Sequence, residues 1–323
     1  MAVSLSAELR SQLLLPAICA PMMLVSGPEL VLAACQAGLV GVLPWHNARG
    51  AEEFGGWLDR IAAGLDAHRA AHPGARVGPV FANITLKRPL PELTSAIDLC
   101  LSRGVRHFIT AIGNPAEVSG IIHDRGGYIL HDVTSLRFAE KAIAAGVDGL
   151  ICIGGGGGGH SGTLNPFAFV PAVRAMFDGT IVFAGCVSDG AAIRAAEVLG
   201  ADLVYLGTRF IATREARAHD DYKAMLVASG AADLSYSPAI TGVPANWLNA
   251  SLERAGLSPK DLPPPVPGYG HLPRAVRPWR DVWSAGHGVE LIRDVPGTAE
   301  LVARLRREYR AACAVPDMAA AAR

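Results

Sequence analysis

The chain has 323 residues, half of them hydrophobic, with 29 basic and 29 acidic side chains and a pI near 7.1. That length suits one large α/β domain with a modest insertion, and the lack of net charge argues against nucleic acid or an acidic membrane surface, both of which demand clustered positive charge. The longest apolar stretch, residues 30–43, is broken by Gln36 and two glycines, so it falls short of the roughly 18–20 residues of a membrane span.

The first 20 residues hold one Arg and no signal-type cleavage site. The cysteines, Cys19, Cys35, Cys100, Cys152, Cys186 and Cys313, lack CxxC spacing and fall mostly within apolar patterns. They read as buried, reduced thiols of a cytoplasmic protein rather than a disulfide or zinc framework. Packing is the preferred reading for Cys152 and Cys186 as well.

Short Val/Ile/Leu-rich runs alternate with Ala-rich amphipathic ones. In chain order the pattern predicts a strand over 17–20, a helix over 28–37, a strand over 40–43, a helix over 52–69, a strand over 77–81 and a helix over 91–102. It continues with strands over 107–110, 128–131, 149–153, 180–184 and 203–206, separated by helices over 115–124, 135–145, 166–176 and 189–199. Several helices open on Pro or on an Asp or Ser cap, and Gly38, Gly146 and Gly200 close three of them. Strands this apolar, each followed by a helix, form a parallel sheet covered on its outer face. Eight βα units favour a (β/α)8 TIM barrel over an open doubly wound sheet.

Composition changes after Ala212. Residues 213–260 carry polar helix patterns over 214–229 and 246–255, then Pro263-Pro264-Pro265-Val266-Pro267-Gly268 breaks the chain, and 280–311 return to a helix pattern. The expected organisation is a barrel over 1–212, a helical insertion or cap over 213–275, and a segment over 276–323 that closes the barrel.

In this fold the strand C-termini carry the chemistry, and the loops after strands seven and eight commonly bind phosphate. Strand six runs into six glycines at 154–159, followed by His160, Ser161 and Gly162. Backbone without Cβ atoms can lie flat against a planar ligand or aim N–H groups at an anion. Ordering it is costly, and a bound cofactor is the usual compensation. A flexible linker is the alternative, but linkers are flanked by polar residues, whereas Ile151 and Ile153 precede this run.

After strand seven come Ala184, Gly185 and Cys186, and after strand eight come Gly207 and Thr208. Either turn alone is an ordinary βα loop, and the two together point to a phosphate-bearing ligand. Ala20, Pro21 and Met22 follow strand one, where Met22 is either a core filler or a ligand contact. Asn83, after strand three, can bond a heterocycle edge or simply form a turn. His160 is the leading catalytic candidate, since imidazole suits proton transfer near neutral pH. His131 and Asp132, ending strand five, are next, with a solvent-facing strand end as the alternative. His46, His107, His123, His219 and His271 lack comparable context, and no HExxH or other metal spacing occurs, so no metal is expected.

Together Ala20-Pro21-Met22, the glycine loop ending in His160, Ala184-Gly185, Gly207-Thr208-Arg209-Phe210 and Ser284-Ala285-Gly286-His287-Gly288-Val289 resemble the nitronate monooxygenase family, formerly the 2-nitropropane dioxygenases. The likeness runs from about residue 15 to 292. Its most specific part is 189–213, Asp-Gly-(x)9-Gly-Ala-Asp-(x)4-Gly-Thr-Arg-Phe-(x)2-Thr. The resemblance implies an FMN-dependent TIM barrel, monomer or homodimer, oxidising alkyl nitronates with O2. It places FMN against Ala20, Pro21, Met22, Asn83, His131, Gly158, Gly159, Ala184, Gly185, Gly207 and Thr208, with His160 on the nitronate and a substrate pocket at Ser161, Ser284 and His287.

Departures fall at that pocket. Gly156 and Gly157 stand where the family often has Glu and Ala, His287 where it usually has Gln, and Asp132 where some members have Lys. The expected consequence is a roomier, less polar pocket. The alternative activity is an FMN-dependent reductase or dehydrogenase of an enoyl thioester on CoA or acyl carrier protein, using NAD(P)H. Arg274, Arg277 and Arg280 with Trp279 and Trp283 would then serve the CoA phosphate or adenine, or else be solvated surface around a core Trp. A non-catalytic flavin-binding module is the remote third reading.

Overall fold

The apolar runs form β1 (Ala17–Cys19), β2 (Val40–Pro44), β3 (Val80–Thr85), β4 (His107–Ala111), β5 (Tyr128–Val133) and β6 (Gly149–Ile153). The two-residue β7 (Gly159–His160) comes next, followed by β8 (Thr180–Ala184) and β9 (Leu203–Leu206). The computed structural model describes residues 6–266, 272–273 and 276–315. All of these strands except β7 are parallel and close into an eight-stranded barrel, β1 pairing with β2 through Ile18 and Val40 and with β9 through Ile18 and Tyr205. One side-chain set fills the interior, among it Ile18, Val42, Phe81, Ile109, Leu130, Ile151 and Val182, all buried. Leu9 and Leu13, on and just after α1 (Ala7–Gln12), plug the bottom.

The alternate side chains pack outward against α2 (Pro28–Gln36), α3 (Ala51–Ala71), α4 (Leu90–Ser102), α5 (Ala116–Asp124), α6 (Leu136–Ala144), α7 (Pro166–Arg174) and α8 (Gly190–Val198). Strands buried on both faces need apolar residues at every position, which is why they read as continuous runs. Helix starts carry their own signals. Ser135, Asn165 and Asp189 accept hydrogen bonds from the N–H groups of Phe138, Phe167 and Ala192. Among the described residues no helix is long and apolar enough to cross a membrane.

Three stretches differ from expectation. The third strand is Val80–Thr85 rather than 77–81. Gly78 packs so closely on the Leu39 backbone that 77–79 form a tight lead-in, and Pro79 has no N–H for a ladder. The shift puts Asn83 inside the strand.

The segment after the eighth barrel strand is not purely helical. After the short α9 (Thr208–Ile211) and α10 (Asp220–Ala228), β10 (Leu234–Ser237) and β11 (Ala245–Leu248) form an antiparallel pair, and α11 (Asn249–Arg254) follows. β11 also pairs with β7, Ala245 opposite His160 and Asn246 opposite Gly159. Trp247 enters a small core with Ile240, Leu252 and Val282. The expected helix over 246–255 is therefore strand in its first three residues and helix from Asn249. The expected helix over 280–311 is a 3-10 turn at His287–Leu291 and then α12 (Thr298–Cys313), broken at Pro296-Gly297. Gly190 lets the α12 backbone close onto α8. Pro267, Gly268, His271 and Arg274 lie outside the described residues.

Candidate active site

A cavity of about 1120 Å³ opens at the strand C-termini, slightly above the roughly 300–1,000 Å³ usual for ligand pockets. Among the described residues, the buried side-chain atoms without a hydrogen-bond partner are His46 Nδ1, Asp132 Oδ1, Ser188 Oγ and the Tyr205 hydroxyl, and all four residues line this cavity. A buried polar group left unsatisfied costs about 1–3 kcal/mol. Their concentration around one cavity marks a surface suited to a polar ligand.

The glycine run arches over one side and is pinned along its length. Gly154 and Gly155 donate to the carbonyls of Ala184 and Leu164, at 3.0 and 2.6 Å. The Gly156 carbonyl accepts from the His287 N–H at 2.8 Å, and the Gly157 carbonyl from Asn246 Nδ2 at 2.7 Å. β7 then joins the arch to β11. Gly156 has φ +81, and a Cβ there would lie 2.6 Å from Cys186 Sγ and 2.9 Å from His287 Nδ1. The expectation of a roomier pocket beside Gly156 is thus corrected: Cys186 and His287 occupy that room. His287 packs behind the arch and Ser161 is buried against Asn246, so neither lies on the cavity wall, in contrast to Ser284, which does.

His160 lies at the rim, its ring edge-on to Trp279 with centroids 5.3 Å apart. The Thr241 hydroxyl donates to the Val243 carbonyl, so the proton in the 3.0 Å contact between His160 Nε2 and Thr241 Oγ1 comes from the ring. That assignment holds His160 as the Nε2–H tautomer with Nδ1 unprotonated. Burial, and then the Lys87 charge, lower its affinity for a proton, so the ring is neutral near pH 7.

Strand parity sets the floor. Phe81, Leu130 and Leu203 face the barrel interior, so Asn83, Asp132 and Tyr205, two residues on, share that face. Asn83 Nδ2 donates to the Ile109 carbonyl at 3.1 Å. His131 faces the other way, with Nδ1 2.8 Å from Thr110 Oγ1, and burial lowers its pKa to about 4. It touches the cavity from the outer side of β5.

The two anion-type turns pack against the arch, Gly185 beside Gly154, Gly155 and Gly157 and Thr208 beside Gly158. Gly185 (φ +116) and Cys186 (φ +61) turn the chain after β8 towards Ser188. Cys186 is exposed at the cavity with its sulfur turned onto the Gly155 and Gly156 carbonyls at 3.7 and 3.6 Å, and burial of that sulfur raises the thiol pKa. Thr208 Oγ1 accepts from the Gly286 N–H at 2.9 Å, leaving its own proton to donate. A Cβ on Gly158 would lie 2.9 Å from that oxygen. Arg209 turns away and pairs with Asp294 at 3.0 Å. Ala20, Pro21, Met22, Asn83, Gly158, Gly159, Ala184, Gly185, Gly207 and Thr208 all line the cavity.

Of the Arg/Trp group, Trp279 and Trp283 both line the cavity. Arg280 bonds Asp281 at 2.8 Å, Trp279 meets His160, and Trp283 stacks on Tyr222 beneath Arg254. Sequence reasoning missed Tyr205, Ser188, Thr241 and Asn246 and set aside His46, which the turn Trp45–Asn47 brings to the cavity. Tyr205 alone was findable, by parity from Leu203. Among the described residues no group of three or more His, Cys, Asp or Glu could hold a metal ion.

Residues 79–308 match the sequence model of the family described as nitronate monooxygenase. The chain belongs to the nitronate monooxygenase family. That family is one of oxidoreductase enzymes. A nitronate monooxygenase of Paraburkholderia phytofirmans is 27% identical over 345 residues, covering 91% of this chain and 92% of that one. The (3aS,4S,5R,7aS)-5-hydroxy-7a-methyl-1-oxo-octahydro-1H-indene-4-carboxyl-CoA dehydrogenase of Rhodococcus jostii is 28% identical over 236 residues, 72% of this chain but 63% of the relative's length. FabK from Thermotoga maritima superposes with a TM-score of 0.75 at 22% identity, over 94% of this chain and 95% of that one, a likeness of fold. The family match covers the arch, both turns and the Ser284–Val289 stretch.

Proposed function

We propose that the protein is an FMN-dependent oxidoreductase that converts alkyl nitronates with O2 in the cytoplasm. The observation that carries this reading is the set of unpartnered polar atoms on the cavity wall. Of these, Ser188, with Gly185 and Thr208 beside it, would hold the phosphate of FMN, and Asp132 and Tyr205, with Asn83, would meet the polar edge of its heterocycle. The arch supplies side-chain-free backbone for a flat ring. Flavin, when bound, supplies an electron acceptor that O2 can reoxidise.

The chain's own residues orient and balance charge. Neutral His160 has an unprotonated Nδ1, and an anionic nitronate beside it would raise its affinity for a proton. His160 then stabilises the anion as imidazolium while Thr241 holds Nε2 in place. Lys87, on the cavity wall, adds a positive field. Purified protein should be yellow and should be reduced anaerobically by propionate-3-nitronate. His160→Asn should keep the flavin and lose about 10²–10⁴-fold in turnover, the usual range for general acid–base loss. A colourless preparation that takes up no FMN overturns the reading.

A second reading has its own support. The cavity continues past Ile112 and Asn114 to Phe138, Lys141 and Ala145, which share one face of α6 and its C-terminal end. Phe138 is 52% exposed there. An apolar branch with a terminal ammonium suits the arm of a CoA or carrier-protein thioester, and the Rhodococcus relative is named for a CoA ester. Under this reading NAD(P)H, rather than nitronate, reduces the flavin, and an enoyl-CoA reoxidises it. Reduction by neither donor would favour a non-catalytic flavin-binding module.

A further inference from the structure

We propose that Asp132 and Tyr205 are a pair of neutral proton donors on the cavity floor that bind acceptor atoms of the flavin, so that cofactor capture takes up a proton at Asp132. This rests on the flavin reading and adds a chemical role for two residues to it.

Asp132 Oδ1 and the Tyr205 hydroxyl are each enclosed and each without a partner, so they are not bonded to one another. Yet they are close enough for the Asp132 charge to disfavour ionisation of Tyr205, which burial already opposes. Among the described residues no cation faces Asp132 to hold a carboxylate. Burial alone drives the Asp132 pKa up to about 7. Around neutrality its carboxyl is therefore readily kept as the acid, a donor, and Tyr205 is a donor throughout.

Beside them Asn83, with one Nδ2 proton on the Ile109 carbonyl, keeps Oδ1 as an acceptor. Two donors and an acceptor complement the pyrimidine edge of a flavin, whose carbonyl oxygens and ring nitrogen accept and whose imide N–H donates. A carboxylate at Asp132 would instead face lone pairs with lone pairs. Bound flavin must then hold Asp132 protonated, raising its pKa further.

Other groups around the floor titrate outside the window above pH 7. His131 on the same strand and His46 from the turn after β2 are pushed down to about 4 by burial. His160, from β7 above, is also lowered, and Cys19, from β1 behind Tyr205, is raised. The phosphate of FMN has a second pKa of about 6 and is therefore largely a dianion above pH 7. Lys87 lines the same cavity.

The test is FMN affinity, by fluorescence quenching or calorimetry, from pH 6.5 to 9. For the wild-type protein the dissociation constant should rise about tenfold per pH unit above pH 7, approaching 100-fold by pH 9. Asp132→Asn, a permanent neutral donor, should bind with no such slope. Tyr205→Phe should bind several-fold more weakly and keep the slope. Calorimetry in buffers of different ionisation enthalpy needs no variant, and should read close to one proton taken up per FMN at pH 8. A flat wild-type profile, zero proton uptake, or an unchanged slope in Asp132→Asn overturns the proposal while leaving the flavin reading intact. Failure to bind FMN at any pH overturns both.

Discussion

Gly156→Ala isolates what the glycine arch requires. The residue sits at φ +81, where a Cβ costs about 1–2 kcal/mol. The new methyl would also lie 2.6 Å from Cys186 Sγ and 2.9 Å from His287 Nδ1, and overpacking of this kind costs about 1–3 kcal/mol more. The sum is about 2–5 kcal/mol, less a few tenths regained because alanine narrows the unfolded ensemble. Gly74 is the control, since it has φ +86 with nothing within 4 Å of its Cβ position, so Gly74→Ala should cost about 1–2 kcal/mol alone. At about 2 °C per kcal/mol for a chain this long, thermal melting by circular dichroism should separate a loss of about 4–10 °C from one of about 2–4 °C. FMN affinity should fall at least tenfold in Gly156→Ala and not at all in Gly74→Ala. Because His287 fills the space, Gly156→Glu should be better tolerated with His287→Gln than alone, with a coupling of about 0.5–3 kcal/mol. Equal losses in the two alanine variants, with no coupling to His287, would refute the claim that this space is filled.

Two further outcomes follow from hydrogen bonds and charge. Thr241→Val removes the acceptor that fixes the His160 ring; turnover should fall by about 3–10-fold, the equivalent of one hydrogen bond of about 1 kcal/mol, with flavin content unchanged in the absorption spectrum. The ligand-free protein should lose stability in acid. His46, His107, His131 and His160 have proton affinities lowered by burial, so below pH 6.5 the unfolded chain binds protons that the native state refuses. Asp132 acts oppositely, because its native pKa near 7 means that stability is lost as pH rises from about 4 to 7. Asp132→Asn should therefore steepen the acid loss and raise the urea midpoint at pH 7.5 by the equivalent of about 1–3 kcal/mol. No gain at pH 7.5 would mean that water reaches the carboxyl.

The barrel was legible because two-sided burial writes itself into every strand position, and caps such as Asp189 and Asn165 are local. What failed was non-local. The Ala245–Leu248 strand exists because Gly159 and His160 offer it an edge, and a four-residue run of mixed polarity carries no period of its own. Asn83 was found as a residue but misplaced by the third strand's shift. His131 was preferred to Asp132 although alternation from Leu130 points Asp132 inward. Cys186 and His287 could not be read as occupants of the space beside Gly156, since 30 and 131 residues separate them from it.

The arch itself carries the last step. From sequence, six ordered glycines asked for a bound cofactor to offset the cost of ordering them. In the structure a Cβ at Gly154 would meet Pro166, at Gly155 the Thr163 carbonyl, at Gly156 Cys186, at Gly157 Ile153 and at Gly158 Thr208; Gly159 meets only ordinary contact with Trp279. Packing at Gly154, Gly156 and Gly158 and the φ of +70 at Gly159 therefore demand four of the six glycines before any ligand enters, and Gly155 and Gly157 leave little room for a methyl. At about 0.5–1 kcal/mol each the run costs about 3–6 kcal/mol relative to alanine. The four backbone and Asn246 hydrogen bonds, at about 0.5–1.5 kcal/mol each, offset most of it. Flavin affinity is then not spent on ordering the arch, so the site is set before binding and its selectivity rests with the groups left unpaired: Ser188, Asp132, Tyr205 and His46.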